Sequence, residues 1–176
     1  FLLVPTGRGR ELAEQELTAG QYEDTLIWFY EQHKNAGGMN LKATCAPHYY
    51  RIMRQRAAAE GEKVEEKSHG LDALTRGCLA GVAFCFVSHI GKVQPCGYLE
   101  LECGDIRKKP LKEIWESSKI FADLRDFDAY KGKCGVCEYR RVCGGCRARA
   151  YEVTGDYMGA EPYCSYIPRG AGAVKI

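Results

Sequence analysis

The sequence predicts an α/β fold in two parts, in which the last strands and helices of a partial (β/α) barrel precede a small cysteine-rich domain. Apolar runs alternate with a helical pattern over residues 1–60, which is the rhythm of a βαβ unit. Residues 61–70 carry charges of both signs and almost no apolar side chains, so we expect a linker there. Eight of the ten cysteines form a spaced array within residues 71–176, which predicts a separate domain that metal holds together.

The N-terminal unit is expected to alternate strands and helices. Its first residues are apolar and partly β-branched, as in a buried parallel strand. The predicted elements are a strand at 1–4, a loop at 5–9, a helix at 18–36, a strand at 41–45 and a helix at 48–60. Because a buried parallel strand needs neighbours on both sides, we expect this unit to be the C-terminal part of a longer barrel.

The cysteine-rich part is expected to combine a β-hairpin with short helices. Residues 84–88 and 93–98 have strand-like alternation and predict the hairpin, with Cys85 on one strand and Cys96 on the other. The predicted helices are an amphipathic one that follows Pro110 and reaches Leu124, and a short one at 147–154 that ends at Gly155.

The cysteine array has the spacing of a metal site. It comprises Cys78, Cys85 and Cys96, then Cys134, Cys137, Cys143 and Cys146 as C-x2-C-x5-C-x2-C, and finally Cys164. Thiolates at C-x2-C spacing come from one tight turn and can point at a single centre. Four thiolates satisfy either zinc or an iron–sulfur cluster, so the spacing leaves both open. A disulfide framework is less favoured, because it is typical of smaller secreted chains.

Composition narrows the functional class. The 176 residues are 45% hydrophobic and 27% charged, which is enough to bury one core. The net charge of +2 predicts no general nucleic-acid binding. We expect a cytoplasmic protein, since no apolar run has the length of a membrane span and no signal peptide is evident. Around the array, Glu138 alone opposes a basic group that we expect to face clusters or an anionic ligand: Lys131, Lys133, Arg140, Arg141, Arg147 and Arg149.

The pattern Cys78-x12-Gly91-x4-Cys96, followed by the C-x2-C-x5-C-x2-C run and Cys164, resembles the SPASM domain that follows the barrel of many radical S-adenosylmethionine (SAM) enzymes. The resemblance covers residues 71–176, and the family usually spaces its last close pair as C-x3-C. It implies one auxiliary [4Fe-4S] cluster on Cys134, Cys137, Cys143 and Cys164. It implies a second on Cys78, Cys96 and Cys146, with Cys85 as fourth ligand and Cys103 as the alternative. In oxidised preparations the freed thiolates would take zinc.

Four further segments, at 1–9, 42–48, 93–98 and 143–151, resemble the tetrapyrrole-modifying branch of that superfamily, above all its haem b synthases. The resemblance implies oxidative decarboxylation of two propionates of iron-coproporphyrin III to vinyl groups. It also implies SAM, a further [4Fe-4S] cluster and an electron donor or acceptor protein. The SAM-cleaving C-x3-C-x2-C loop is absent from this sequence, so we expect this chain alone to be inactive. The alternatives are an enzyme acting on a siroheme derivative or a peptide, and a zinc-binding interaction module.

A porphyrin with propionates requires cationic forks and flat apolar surfaces. The candidates are Arg8, Arg147, Arg149, Tyr98 and Tyr151, each arginine having an ordinary surface charge as its alternative role. His48 and His89 are interpreted as turn or strand-end histidines rather than iron ligands. Cys45 lies outside the array and is interpreted as a small buried apolar residue, with a substrate-facing role as the alternative. No residue is assigned to catalysis.

Overall fold

The computed structural model of the chain describes residues 2–39, 41–62, 64 and 76–173. Its N-terminal part contains two α-helices, α1 (Ala19–Lys34) and α2 (His48–Ala59), after a 3-10 helix at Gly7–Gln15. Thr18 starts α1 with a capping box: its Oγ1 accepts from Gln21 N at 3.3 Å, and Gln21 Oε1 accepts from Thr18 N at 2.9 Å. Both predicted helices are confirmed. The 3-10 helix corrects the expected loop at 5–9.

Helices α1 and α2 pack on each other through one apolar core. Its buried members are Leu2, Tyr22, Leu26, Tyr30, Ala46, Tyr49, Ile52 and Met53. Each large side chain fully buried in such a core contributes about 1.5–3 kcal/mol. The helical pair therefore has an apolar core of its own, independent of any metal.

The two predicted N-terminal strands are wrong. Residues 2–5 and 41–43 have no regular secondary structure, although Leu2 and Val4 are buried as the apolar pattern requires. Leu2 N donates to Thr44 O at 3.1 Å, the one backbone bond between these two segments in the described part of the chain. One bond does not make a β ladder, so residues 2–39 and 41–59 form no βαβ unit, and the barrel stays a prediction. The linker expected at 61–70 lies largely outside the described residues.

The predicted hairpin is confirmed, with shorter strands and one addition. Strands β1 (Phe86–Val87), β2 (Lys92–Gln94) and β3 (Gly104–Asp105) form an antiparallel sheet in the order β1-β2-β3. Phe86 pairs with Gln94, and Lys92 pairs with Asp105. Gly91 has φ +79°, which suits the tight turn before β2. Cys85 and Cys96 flank the paired residues rather than lying within them.

The helix predicted behind Pro110 is two helices, α3 (Leu111–Ser117) and α4 (Lys119–Arg125). Ser118 is extended (φ −70°, ψ 125°) and separates α3 from α4. Ile114 from α3 and Phe121 from α4 then pack on Val93. The predicted amphipathic pattern is therefore confirmed, but its buried residues lie on two helices and not on one.

The last two α-helices are α5 (Gly132–Gly135) and α6 (Arg147–Thr154), and short 3-10 helices lie at Phe127–Ala129 and Ala171–Ala173. Gly155 ends α6 in the left-handed region at φ +75°, as predicted. The following segment returns to the N-terminal helices, where Tyr163 meets the Tyr22 ring edge-on at 5.6 Å between centroids. No helix among the described residues is long and apolar enough to cross a membrane.

Candidate metal centres

Four cysteines line one small cavity, which we call the first cavity. They are Cys134, Cys137, Cys143 and Cys164. Cys134 lies on α5, and the others come from the turns and the returning segment that follow. The chain thus brings together the four residues that the resemblance to the SPASM domain assigns to one cluster.

Backbone amides point at three of these sulfurs. Glu161 N donates to Cys134 Sγ at 3.3 Å, Tyr139 N to Cys137 Sγ at 3.4 Å, and Gly145 N to Cys143 Sγ at 3.4 Å. Such bonds stabilise thiolates and tune a cluster bound to them. Burial nevertheless raises the pKa of both Cys143 and Cys164, so the thiolate form needs a bound cation. The donor set fits a thiolate-bound metal centre.

His48 supplies a second test of that fit. It lines the first cavity, is 2% exposed, and its Nδ1 and Nε2 have no hydrogen-bond partner among the described residues. Burial lowers the pKa of His48 to about 4, so the ring is neutral at pH 7. Buried polar atoms are nearly always paired in folded proteins. An acceptor-bearing group in the cavity would give the ring N–H its partner.

The four thiols suit either of two thiolate-bound centres. Tetrahedral zinc would bind all four sulfurs directly, with each Zn–S bond about 2.3 Å long. A four-iron cluster would bind each thiolate through a different iron, so its ligands would lie farther apart.

A larger, more open cavity of about 550 Å³, the second cavity, is lined by four other cysteines. They are Cys45, Cys78, Cys96 and Cys146. Cys78 N donates to Cys143 O at 3.1 Å, which joins the wall of the second cavity to that of the first. Burial raises the pKa of Cys96 to about 11 and that of Cys146 well above the usual thiol value. These thiols too would ionise only with a bound cation.

The C-x2-C turn from Cys143 to Cys146 divides its two cysteines between the cavities. Gly144 (φ +75°) and Gly145 (φ +61°) are both left-handed, which glycine tolerates best. A Cβ at Gly145 would lie 2.5 Å from Arg147 Nη2. In this tight turn Cys143 therefore lines the first cavity, and Cys146 lines the second.

The remaining array cysteine lies elsewhere. Cys85 and Cys103 pack together with Val93, Ile114 and Phe121 under the sheet, and neither lines the second cavity. The expected fourth ligand is thus not among the cysteines that surround that cavity. Cys45, which was expected to lie outside the array, is among them.

Arg147 and Arg149, which the sequence predicts as candidate substrate contacts, are both 0% exposed. Arg147 Nη1 donates to Gly159 O at 2.7 Å and to Tyr157 O at 3.1 Å, while its Nη2 lies 3.7 Å from Cys134 Sγ. Arg147 therefore holds the chain around the first cavity and places positive charge beside one of its sulfurs.

Arg149 joins the two halves of the chain. It donates to Leu3 O at 3.0 Å, to Cys45 O at 2.8 Å and to Glu161 Oε1 at 3.2 Å. Glu161 is also 0% exposed, and its Oε2 accepts from Cys146 N at 2.6 Å. Because Glu161 N bonds Cys134 Sγ, one residue contacts the walls of both cavities.

The other predicted site residues are distributed over the surface and interior. Tyr98 lines the second cavity, Arg8 is exposed on the 3-10 helix, and His89 is exposed at the hairpin turn. Tyr151 packs against the buried cluster that contains Cys146. The exposed part of the basic group is paired with acids outside the array: Lys131 with Asp156, and Arg140 and Arg141 with Asp128.

Sequence reasoning missed several residues. Phe84 and Phe86 line the second cavity beside Tyr98. Their alternation around Cys85 was a usable signal, since alternate residues share one face of a strand. Glu161 and Cys45 have no such local signal, because their partners lie far away along the chain.

Residues 78–147 match the SPASM family model, which is described as an iron-sulfur cluster-binding domain. Three relatives illustrate the range of similarity. An "AdoMet-dependent heme synthase" of Nitratidesulfovibrio vulgaris is 60% identical over 96% of this chain and 46% of its own length. A "Pre-heme d1 synthase" of Dinoroseobacter shibae is 35% identical over 50% of this chain and 23% of its own. A "PqqA peptide cyclase" of Methylocella silvestris is 34% identical over 47% of this chain and 23% of its own length.

The chain spans about half the length of the heme synthase that it matches. The resemblance drawn from the cysteine pattern is confirmed by the family model, which begins at Cys78 and ends at Arg147. Residues 78–147 therefore belong to the SPASM family of iron–sulfur cluster-binding domains, in a chain related throughout to the AdoMet-dependent heme synthases.

Proposed function

We propose that this chain is the auxiliary-cluster part of a radical SAM enzyme that decarboxylates two propionates of iron-coproporphyrin III to vinyl groups, giving haem b. The observation that carries the proposal is the 60% identity to a heme synthase over 96% of the chain. The pre-heme d1 synthase and the peptide cyclase match about half of it, at 35% and 34%. This contrast favours a haem precursor over a siroheme derivative or a peptide.

The reaction balances with one electron entering and one leaving for each propionate. A low-potential donor protein reduces one SAM, giving methionine and a 5′-deoxyadenosyl radical that takes a hydrogen from the propionate β-carbon. The C–C bond to the carboxylate then breaks, carbon dioxide leaves, and the remaining electron passes to an acceptor. A bound iron–sulfur cluster supplies a one-electron acceptor for such chemistry.

Within this proposal the first cavity holds one [4Fe-4S] cluster. Its ligands would be Cys134, Cys137, Cys143 and Cys164. The support is their shared cavity, the amide donors to three of the sulfurs, and the unpaired ring of His48. The second cavity holds a further cluster on Cys78, Cys96 and Cys146, supported by their common wall.

The rim of the second cavity is the surface that best fits a flat macrocycle. Phe84 and Phe86 are 49% and 39% exposed there, beside Tyr98 at 38%. Exposed aromatic rings stack on flat conjugated ligands. A tetrapyrrole on this rim would lie close to the second cluster, which would shorten the path of the departing electron.

The test uses a protein that joins this chain to a SAM-cleaving C-x3-C-x2-C region. We expect iron-coproporphyrin III, SAM and a low-potential reductant to give haem b with two CO₂ and two 5′-deoxyadenosine. Phe86→Ala should raise KM several-fold, whereas Trp28→Ala, which removes a 60% exposed aromatic ring from α1, should not. Turnover of a peptide or siroheme derivative, with none of coproporphyrin, would refute the proposed substrate.

A further inference from the structure

The described cysteines outside the first cavity fall into two sets. Cys45 and Cys96 pack on the buried cluster that contains Cys146, together with Val4 and Leu124. Cys85 and Cys103 pack on a different cluster, built by Val93, Ile114 and Phe121. The sets are therefore separated by the packing of the domain as well as by the cavity that one of them lines.

The position of Cys45 is fixed by its backbone. It has φ +56°, and it is the one described residue other than glycine with a positive φ. Such a conformation is costly for a residue with a side chain and persists where the surroundings impose it. Here Arg149 holds the Cys45 carbonyl at 2.8 Å, and Pro47 and His48 start α2 two and three residues later.

This conformation brings Cys45 to the other thiols of the second cavity. Cys45, Cys78 and Cys96 share the wall of the second cavity, and Cys45 and Cys96 pack on the same buried cluster. Cys146 completes the wall, as the residue before α6. Three cysteines of this set are already assigned to a cluster in the proposed function, and a four-iron cluster has four corners to ligate.

We infer that Cys45 is the fourth thiolate ligand of the second cluster and that Cys85 is not a ligand. The inference rests on the proposed function only in requiring an iron–sulfur cluster in the second cavity. Its consequence is structural. A ligand at residue 45 lies outside residues 78–147 of the SPASM match, so the cluster would tie the N-terminal helical part to the SPASM domain through a metal–sulfur bond.

The test compares iron and sulfide content of anaerobically prepared full-length variants, together with the EPR spectrum of the reduced clusters. We expect Cys78→Ala and Cys45→Ala to lose one cluster's worth of iron and sulfide, and Cys85→Ala to lose none. Cys45→Gly gives a second variant in which glycine accepts the positive φ without strain. It should lose the cluster while its far-UV circular dichroism keeps the helical signal of the parent protein. This result would separate lost ligation from misfolding.

The outcomes are distinguishable. If Cys78→Ala keeps the iron and sulfide of the parent protein, the second cavity holds no cluster and that part of the proposed function fails. If Cys78→Ala loses a cluster while both Cys45 variants keep the parent content and EPR spectrum, the assignment of Cys45 alone is wrong. If Cys85→Ala loses one cluster's worth of iron and sulfide while Cys45→Ala keeps the parent content, Cys85 is the fourth ligand and the inference is wrong.

Discussion

The two cysteine cavities are built in opposite ways. The first draws its four cysteines from the single stretch between Cys134 and Cys164, and it is the smaller of the two. The second is lined by cysteines from separate segments between Cys45 and Cys146, and it has a volume of about 550 Å³. A local site needs only turns that bring its thiols together. A distributed site requires the tertiary structure to form first, or to form with it.

The distributed site is held by contacts that the local site also uses. Glu161 bonds Cys134 Sγ through its backbone and Cys146 N through its carboxylate. Gly77 approaches so closely that an added Cβ would lie 2.6 Å from Pro47 Cβ and 2.7 Å from Cys143 O. The second cavity is therefore built on the wall of the first, and we expect damage to spread from the first to the second.

The largest expected effect comes from removing the metal. Chelation or air oxidation should abolish amide-exchange protection first across residues 131–166, because small metal-ligating segments derive most of their folding free energy from the metal. Helices α1 and α2 should keep their protection, since they share an apolar core. Exchange measured by mass spectrometry checks this. Undiminished protection of 131–166 in the cluster-free protein would mean that the segment folds without metal.

The same contrast explains what could be predicted from sequence. The spacing Cys134-x2-Cys137-x5-Cys143 predicts that these three thiols lie together, since thiols a few residues apart are constrained by local turns. Cys164 was added to them only by the resemblance to the SPASM domain. Helix α1 was predictable for a similar reason, because Thr18 and its capping partner lie three residues apart. Structure was therefore predictable where the interacting residues lie within a few positions of one another in the sequence.

Long-range features were not predictable in this way. Cys45 has no cysteine near it in sequence, and nothing in its neighbours indicates a positive φ. Arg149 was expected to meet a substrate because it is charged, yet its acceptors lie at Leu3 and Glu161. The strand predicted at 1–4 failed because burial alone does not supply a ladder partner. For Cys45 and Arg149 the deciding contacts, from Arg149 to Cys45 O and to Leu3 O, join residues 104 and 146 positions apart.

Arg149→Met would test whether the long-range contacts hold the second cavity. It leaves the carboxylate of Glu161 buried without its charge partner, and breaking a buried pair in this way costs about 3–5 kcal/mol. Urea denaturation of anaerobic protein should show that loss of unfolding free energy. Arg141→Met is the matched control, because its pair with Asp128 is exposed and should contribute little. Equal effects of the two substitutions would show that Arg149 does not fasten the two halves together.

The smallest effect separates crowding from backbone strain in the turn between the cavities. Gly145 and Gly155 are both left-handed, at φ +61° and +75°. A Cβ at Gly155 would meet nothing within 4 Å, so Gly155→Ala should cost about 1 kcal/mol from strain alone. At Gly145 the Cβ would lie 2.9 Å from the Cβ of Glu161, so Gly145→Ala should cost about 1–3 kcal/mol more.

Thermal unfolding of the two variants under anaerobic conditions measures this difference. The crowded atoms belong to Arg147 and Glu161. Because Glu161 is one of them, Gly145→Ala should also disturb the bond from Cys146 N to the Glu161 carboxylate, and with it the EPR spectrum of the second cluster. The Gly155→Ala spectrum should match the parent, since Gly155 lies beyond the far end of α6. If both variants unfold at the same temperature and keep the EPR spectrum of the parent protein, the turn at Gly145 accommodates a Cβ without a clash. The separation of Cys143 from Cys146 would then not depend on two glycines.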